Sequence, residues 1–187
     1  MGKWIMPAAI LAAGTVVCTM FLGGCRENDS ALTAEDMASL GTGSWTASAE
    51  VTMDEMEAGI SLLRQGDLTE ITVTSPEHLE GLVFRMDGGD SSVSFKGLAV
   101  EGAELPLSSL GAAVDGALDV FARPELLTAG VAGDGAPVFR GESSAGRFAL
   151  TLPDGLPGLL EMEETGLTIR FSNVVFSEDG GTPLPEE

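Results

Sequence analysis

The chain holds few groups able to do covalent or metal chemistry: one histidine, two cysteines and 29 Asp plus Glu. His78 stands between Glu77 and Glu80, and a general base needs a positioned nucleophile within reach. No G-x-S-x-G turn is present to hold a serine for a Ser-His-Asp arrangement, so His78 reads as a solvated loop residue. One histidine is too few for the usual zinc ligand sets. The segment Asp87-Gly88-Gly89-Asp90 fails the D-x-[DN]-x-[DN]-G calcium loop at its third position. Glu161, Glu163 and Glu164 alternate on and off a strand end, as a solvated face does. Neither G-x-G-x-x-G nor G-x-x-x-x-G-K-[ST] stands at a strand-to-helix junction to cradle a phosphate. With so many acids, choosing two for glycosidase chemistry would be arbitrary. The reading is a non-enzyme without catalytic residues, metal or cofactor.

Cys25 is the residue with a chemistry of its own. Lys3 gives the N-terminus a positive end, and residues 5–24 then carry no charged side chain, the pattern of a secretory leader or a membrane anchor. The run ends in Leu22-Gly23-Gly24-Cys25, which resembles the lipobox of bacterial lipoproteins. Small residues let a peptidase approach the backbone, and the cysteine thiol is the nucleophile that accepts diacylglycerol. Residues 1–24 are therefore expected to be a signal peptide and 25–32 a lipidated tether. Diacylglycerol and an N-acyl chain on Cys25 would supply the two-signal anchoring that a single chain does not. Cys18 leaves with the leader, so no disulfide forms within the chain and no free thiol remains for catalysis or metal. The expected location is the extracytoplasmic face of the bacterial cell membrane.

Composition narrows the partners. Nine Lys plus Arg give a net charge of −20 and a pI near 4.1, and cleavage before Cys25 removes Lys3 and no acid. This argues against the phosphate contacts of nucleic-acid binding and against a polybasic membrane patch. At 44% hydrophobic the chain is globular rather than an acidic disordered one.

The elements that must position any site follow from periodicity. Thr33 and Asp36 form a capping box ahead of a short helix to Leu40. Trp45, Ala47, Ala49, Val51 and Met53 alternate with polar residues, the period of a half-buried strand. Ala58, Ile60 and Leu62 follow, then Ile71 and Val73, and Ser75-Pro76 stops the run. Leu82, Phe84 and Met86 precede a turn at residues 87–90; Val93 and Phe95 resume, with Gly97 as a bulge before Leu98 and Val100. From Pro106 the spacing changes: Leu107, Leu110, Val114, Ala117, Leu118 and Phe121 predict an amphipathic helix over 106–122. Leu126 and Leu127 add a turn, and 130–137 reads as a loop. Strands return at Val138–Arg140, at Phe148, Leu150 and Leu152, at Leu160 and Met162, and at Leu167, Ile169 and Phe171. Residues 33–176 form one domain, and 177–187 an acidic disordered tail. The class is mainly β (α+β): a curved antiparallel meander, an incomplete barrel, whose apolar face the helix covers.

This layout resembles the LolA-like superfamily of lipoprotein carriers and bacterial lipoproteins, small Gram-positive germination lipoproteins among them. The segments carrying the resemblance are 44–51 (SWTASAEV), 75–84 (SPEHLEGLVF), Phe139-Arg140-Gly141, 146–152 (GRFALTL), Leu156-Pro157 and 166–173 (GLTIRFSN). It implies a half-barrel with a cavity between sheet and helix that holds acyl chains. Under that implication Trp45, Met53, Phe84, Met86, Phe95 and Phe148 on the sheet, with Leu110, Val114 and Phe121 on the helix, are the candidate lining; the alternative is that they pack together as core. Two function classes follow: an anchored module binding a lipid or other apolar ligand, and an interaction protein offering the same scaffold, its core filled, to an envelope, sporulation or germination partner.

Overall fold

The computed structural model describes residues 32–101 and 108–177. Residues 1–31, Cys25 and the leader among them, and residues 178–187 of the expected tail lie outside the described residues, as do Pro106 and Leu107 of the expected helix.

Helix α1 (Ala34–Thr42) starts at the anticipated capping box. The Thr33 hydroxyl accepts from the Asp36 N–H at 3.1 Å, and the Asp36 carboxylate accepts from the Thr33 N–H at 2.8 Å. Both bonds satisfy groups that a helix start leaves unpaired. The Thr33 backbone N–H, and after it the Thr33 hydroxyl donating to Asp36 Oδ2 at 2.7 Å, hold the Asp36 carboxyl below its ordinary pKa.

Six strands follow: β1 (Ser44–Met53), β2 (Met56–Gln65), β3 (Leu68–Ser75), β4 (Val83–Asp87), β5 (Asp90–Phe95) and β6 (Leu98–Glu101). Each pairs antiparallel with the next. Four of the five connections are two residues long and use backbone conformations that suit hairpins; β3 and β4 are joined by the longer turn 76–82. Gly88 and Gly89 both have positive φ, 58° and 100°, as the favoured two-residue turn requires. Gly97 is not a bulge: with Lys96 (φ 50°) it makes a hairpin turn with Phe95 opposite Leu98. Lys96 Nζ lies 4.8 Å from the Phe95 ring centroid, a cation–π contact.

Helix α2 (Ser108–Phe121) then crosses to the far edge. Leu110, Ala113, Val114, Ala117, Leu118 and Phe121, buried at three- and four-residue spacing, form the stripe expected of a helix laid on a sheet, and Gly111 and Val120 are buried at its margins. Pro124 cannot continue it, and a 3₁₀ turn at Pro124–Leu126 follows. The last five strands are β7 (Thr128–Val131), β8 (Pro137–Ser143), β9 (Gly146–Thr151), β10 (Leu159–Met162) and β11 (Thr168–Phe176). Strand β7 corrects the expected loop over 130–137: Thr128–Val131 pair with Pro137–Arg140, and the true turn is Ala132–Ala136. The Arg140 side chain lies over Gly130, its Nη1 2.8 Å from where a Cβ would stand.

The strands form one sheet in the order β6-β5-β4-β3-β2-β1-β11-β10-β9-β8-β7. The chain begins at the centre, works to one edge, crosses by α2 to the other edge and returns to pair β11 with β1. Edges β6 and β7 do not pair with each other, so the barrel stays open. One helix touches both β4 and β8, which are seven strand spacings apart in the sheet. At about 4.8 Å per strand that is roughly 34 Å along the sheet, whereas α2, 14 residues and so about 21 Å long, meets β4 near its start (Gly111 at Met86) and β8 near its end (Val120 at Gly141), so the sheet curls around it. The expected class, an incomplete antiparallel barrel closed by an amphipathic helix, is the one observed.

Candidate functional site

Seven of the nine candidate lining residues are buried: Trp45, Phe84, Met86, Leu110, Val114, Phe121 and Phe148. Met53 and Phe95 are partly buried against the same cluster. Strand alternation places the sheet residues on the inner face, and α2 brings the other three down on them. Phe121 is 0% exposed, with ring centroids 6.2 Å from Phe139 and 6.0 Å from Phe148. A Cβ on Gly141 would stand 2.7 Å from Phe148 Cζ and 3.0 Å from Val120 Cγ1, and one on Gly111 would stand 2.9 Å from Met86 Sδ. At these points helix and sheet are in full contact. Trp45 donates its indole N–H to the Leu40 carbonyl at 3.0 Å and packs edge-on against Phe171.

Beside this core sits a polar cluster that periodicity could have revealed. Arg64 continues the inward phase of Ala58, Ile60 and Leu62 and is 1% exposed. Its Nε donates to the Gly41 carbonyl at 2.8 Å, Nη1 to Thr69 Oγ1 at 2.6 Å and to Asp115 at 2.9 Å, and Nη2 to Asp119 at 3.2 Å. Asp115 and Asp119 are four apart on α2, hence on one helix face. The Thr69 hydroxyl also donates to Asp115 at 2.7 Å. One guanidinium thus ties α1, β2, β3 and α2 together. Gly41 is needed there as well, since a Cβ would stand 2.4 Å from the Ala122 nitrogen.

His78 is exposed in the turn after β3, and Asp87 and Asp90 are exposed in the β4–β5 turn. Asp87 accepts from Arg85 at 3.2 Å. Glu163 and Glu164 flank Arg147: Glu164 accepts from the Arg147 N–H at 2.7 Å and Nε at 3.0 Å, and Glu163 lies 3.0 Å from Nη2. The Arg147 side-chain bond, then its backbone N–H, hold the Glu164 carboxyl below the ordinary value of 4.5. A depressed acid stabilises the fold above its unfolded pKa, and that contribution is lost as pH falls through the lower folded value. A carboxyl-detected NMR titration should therefore find Glu164 protonating below 4.5, and Arg147→Ala should raise it part of the way, because the backbone N–H at position 147 still donates to it. An unchanged midpoint in that variant would assign the shift elsewhere.

The opposite face of the C-terminal half-sheet carries an open cleft of about 700 Å³, within the roughly 300–1,000 Å³ usual for ligand sites. Its lining includes Val138 and Arg140 of β8, Ala149 of β9, Leu159 and Glu161 of β10, and Arg170 of β11, with the 132–136 turn as one wall. The register explains their meeting. Arg140, Ala149 and Glu161 lie opposite one another across three strands, and Thr151, Leu159 and Arg170 form the adjacent row. Val138 is 5% exposed yet is not part of the main core cluster, so this face has an apolar floor of its own. None of these residues was among the candidates read from sequence, although their outward phase was implied by the alternation of their neighbours.

Among the described residues no helix is long and apolar enough to cross a membrane. No family model matches the chain, and no curated protein does. Among solved structures it is similar to an uncharacterized conserved protein from Thermus thermophilus (13% identity, TM-score 0.47, covering 77% of this chain and 85% of that one). It is also similar to a LolA superfamily protein from Nitrosomonas europaea (11% identity, TM-score 0.43, 79% and 95%). A further similarity is to the MucA/MucB complex of Pseudomonas aeruginosa (15% identity, TM-score 0.36, 81% and 57%).

Proposed function

We propose that this chain is an extracytoplasmic lipoprotein, anchored by acyl chains on Cys25, whose domain is a non-catalytic binding scaffold that takes its ligand at the outer cleft. One contrast supports the reading. Seven of the nine positions expected to line an interior cavity are buried in one core cluster, with helix and sheet in close contact at Gly141, whereas an open cleft floored by buried Val138 and half-buried Ala149 and Leu159 lies on the other face. The leader and the Leu22-Gly23-Gly24-Cys25 run supply the anchor. An acidic domain held beside anionic headgroups is repelled by them within about 8 Å at physiological salt, so the acyl chains and not the charge do the anchoring.

A protein partner is the second reading, favoured by edge strand β7. Thr128, Ala129 and Val131 are exposed, Val131 at 71%, and the strand carries no charge. An uncharged open edge is the surface to which an extended segment adds.

Intact mass of the membrane-extracted chain tests the anchor. The expected species begins at Cys25 and carries acyl chains; Cys25→Ala lacks them and loses firm membrane association. A Cys25→Ala protein of full length that stays equally membrane-bound would show an uncleaved anchor instead.

A further inference from the structure

We infer that the outer cleft is a site for an amphiphilic anion, a carboxylate or phosphate on a short apolar body, with Arg140 and Arg170 as its charged walls. The inference rests on the reading that the ligand is taken at this cleft.

The arginines divide by their partners. Four of the six described arginines are engaged: Arg64 by Asp115 and Asp119, Arg85 by Glu70 and Asp87, Arg147 by Glu163 and Glu164, and Arg123 by the Asp119 carbonyl. The side chains of Arg140 and Arg170 have no hydrogen bond or ion pair among the described residues, in a chain with a net charge of −20. Both line the same cleft. Three strand spacings and two residues along the strand put their Cα atoms roughly 16 Å apart, so they flank the floor from opposite corners. That floor is apolar: Val138, Ala149 and Leu159. A guanidinium is the group best suited to carboxylate or phosphate oxygens, and the floor suits a short hydrocarbon. Of the rim acids, Asp134 accepts from the Ala136 N–H at 3.0 Å and so is held by its own turn. Glu161 is the remaining carboxylate, and it opposes an anion placed beside it.

The test uses the full chain, labelled with ¹⁵N-arginine, in phosphatidylcholine nanodiscs, titrated with octanoate and with octanol; empty discs are subtracted. The arginine Nε–H signals of Arg140 and Arg170 should move with octanoate while those of Arg85 and Arg147 stay. The R140Q/R170Q pair should weaken octanoate binding by about tenfold or more, the scale of one lost charge-assisted bond, and Glu161→Gln should strengthen it. Movement of the same two signals only in discs containing phosphatidylglycerol supports the same chemistry with a lipid headgroup as its source. If octanoate and octanol bind alike, the arginine pair is without effect and Leu159→Glu blocks both, the cleft is a site but not one for anions, and the inference fails alone. If neither probe binds and phosphatidylglycerol moves neither arginine signal, the choice of the outer cleft fails with it.

Discussion

Arg64→Ala is expected to cost about 3–5 kcal/mol of folding stability, read as a lowered denaturant midpoint by Trp45 fluorescence. Removing one partner of a buried ion pair costs that much because the groups left behind stay desolvated. Here they are Asp115, the Thr69 hydroxyl and the Gly41 carbonyl, on α2, β3 and α1. The loss should fall toward the lower end, since Asp119 is already half exposed and keeps its water. Arg64→Met combined with Asp115→Leu and Thr69→Val should recover much of the difference, because apolar groups of similar volume often replace a buried pair without loss. Equal instability of the single and combined variants would show that packing, not the polar network, sets the cost.

Phe121→Ala carries the second large effect, about 3–5 kcal/mol, the range for a large aromatic removed from a packed core. Phe121 is fully buried between Phe139 and Phe148 at the end of α2. A residue lining an open cavity already lacks contacts on one side and would lose far less. A cost of about 1 kcal/mol or below would contradict the filled interior. The same denaturant curves serve for both variants.

Much of the fold could be read from the chain. The alternation from Trp45 to Met53 gave β1 to within a residue, and the three- and four-residue spacing after Leu107 gave α2, because each pattern is local and meets a single buried face. Strand β7 was not legible. Thr128–Val131 is four residues long, contains a glycine, and becomes a strand only through pairing with β8, a tertiary effect that local propensity does not contain. The polar cluster was half legible: Arg64 stands in phase with Ile60 and Leu62, and a charge at an inward position needs a partner. That the partner would be Asp115, 51 residues on, depended on where α2 comes to rest. The outer cleft was least legible, because Arg140, Leu159 and Arg170 come from three strands whose register no local pattern sets. The interior candidates were found for the opposite reason, since apolar alternation marks inward positions whether those line a cavity or fill a core.

The measurement that most directly tests where ligand is taken is photolysis of a diazirine-bearing octanoate on the full chain in phosphatidylcholine nanodiscs, with adducts mapped by peptide mass spectrometry. Adducts are predicted on the outer face, at residues 132–138, Ala149 and Leu159. Adducts on the inward residues of α2, Val114 and Phe121 above all, with the outer cleft unlabelled, would place the ligand beneath the helix and contradict the account.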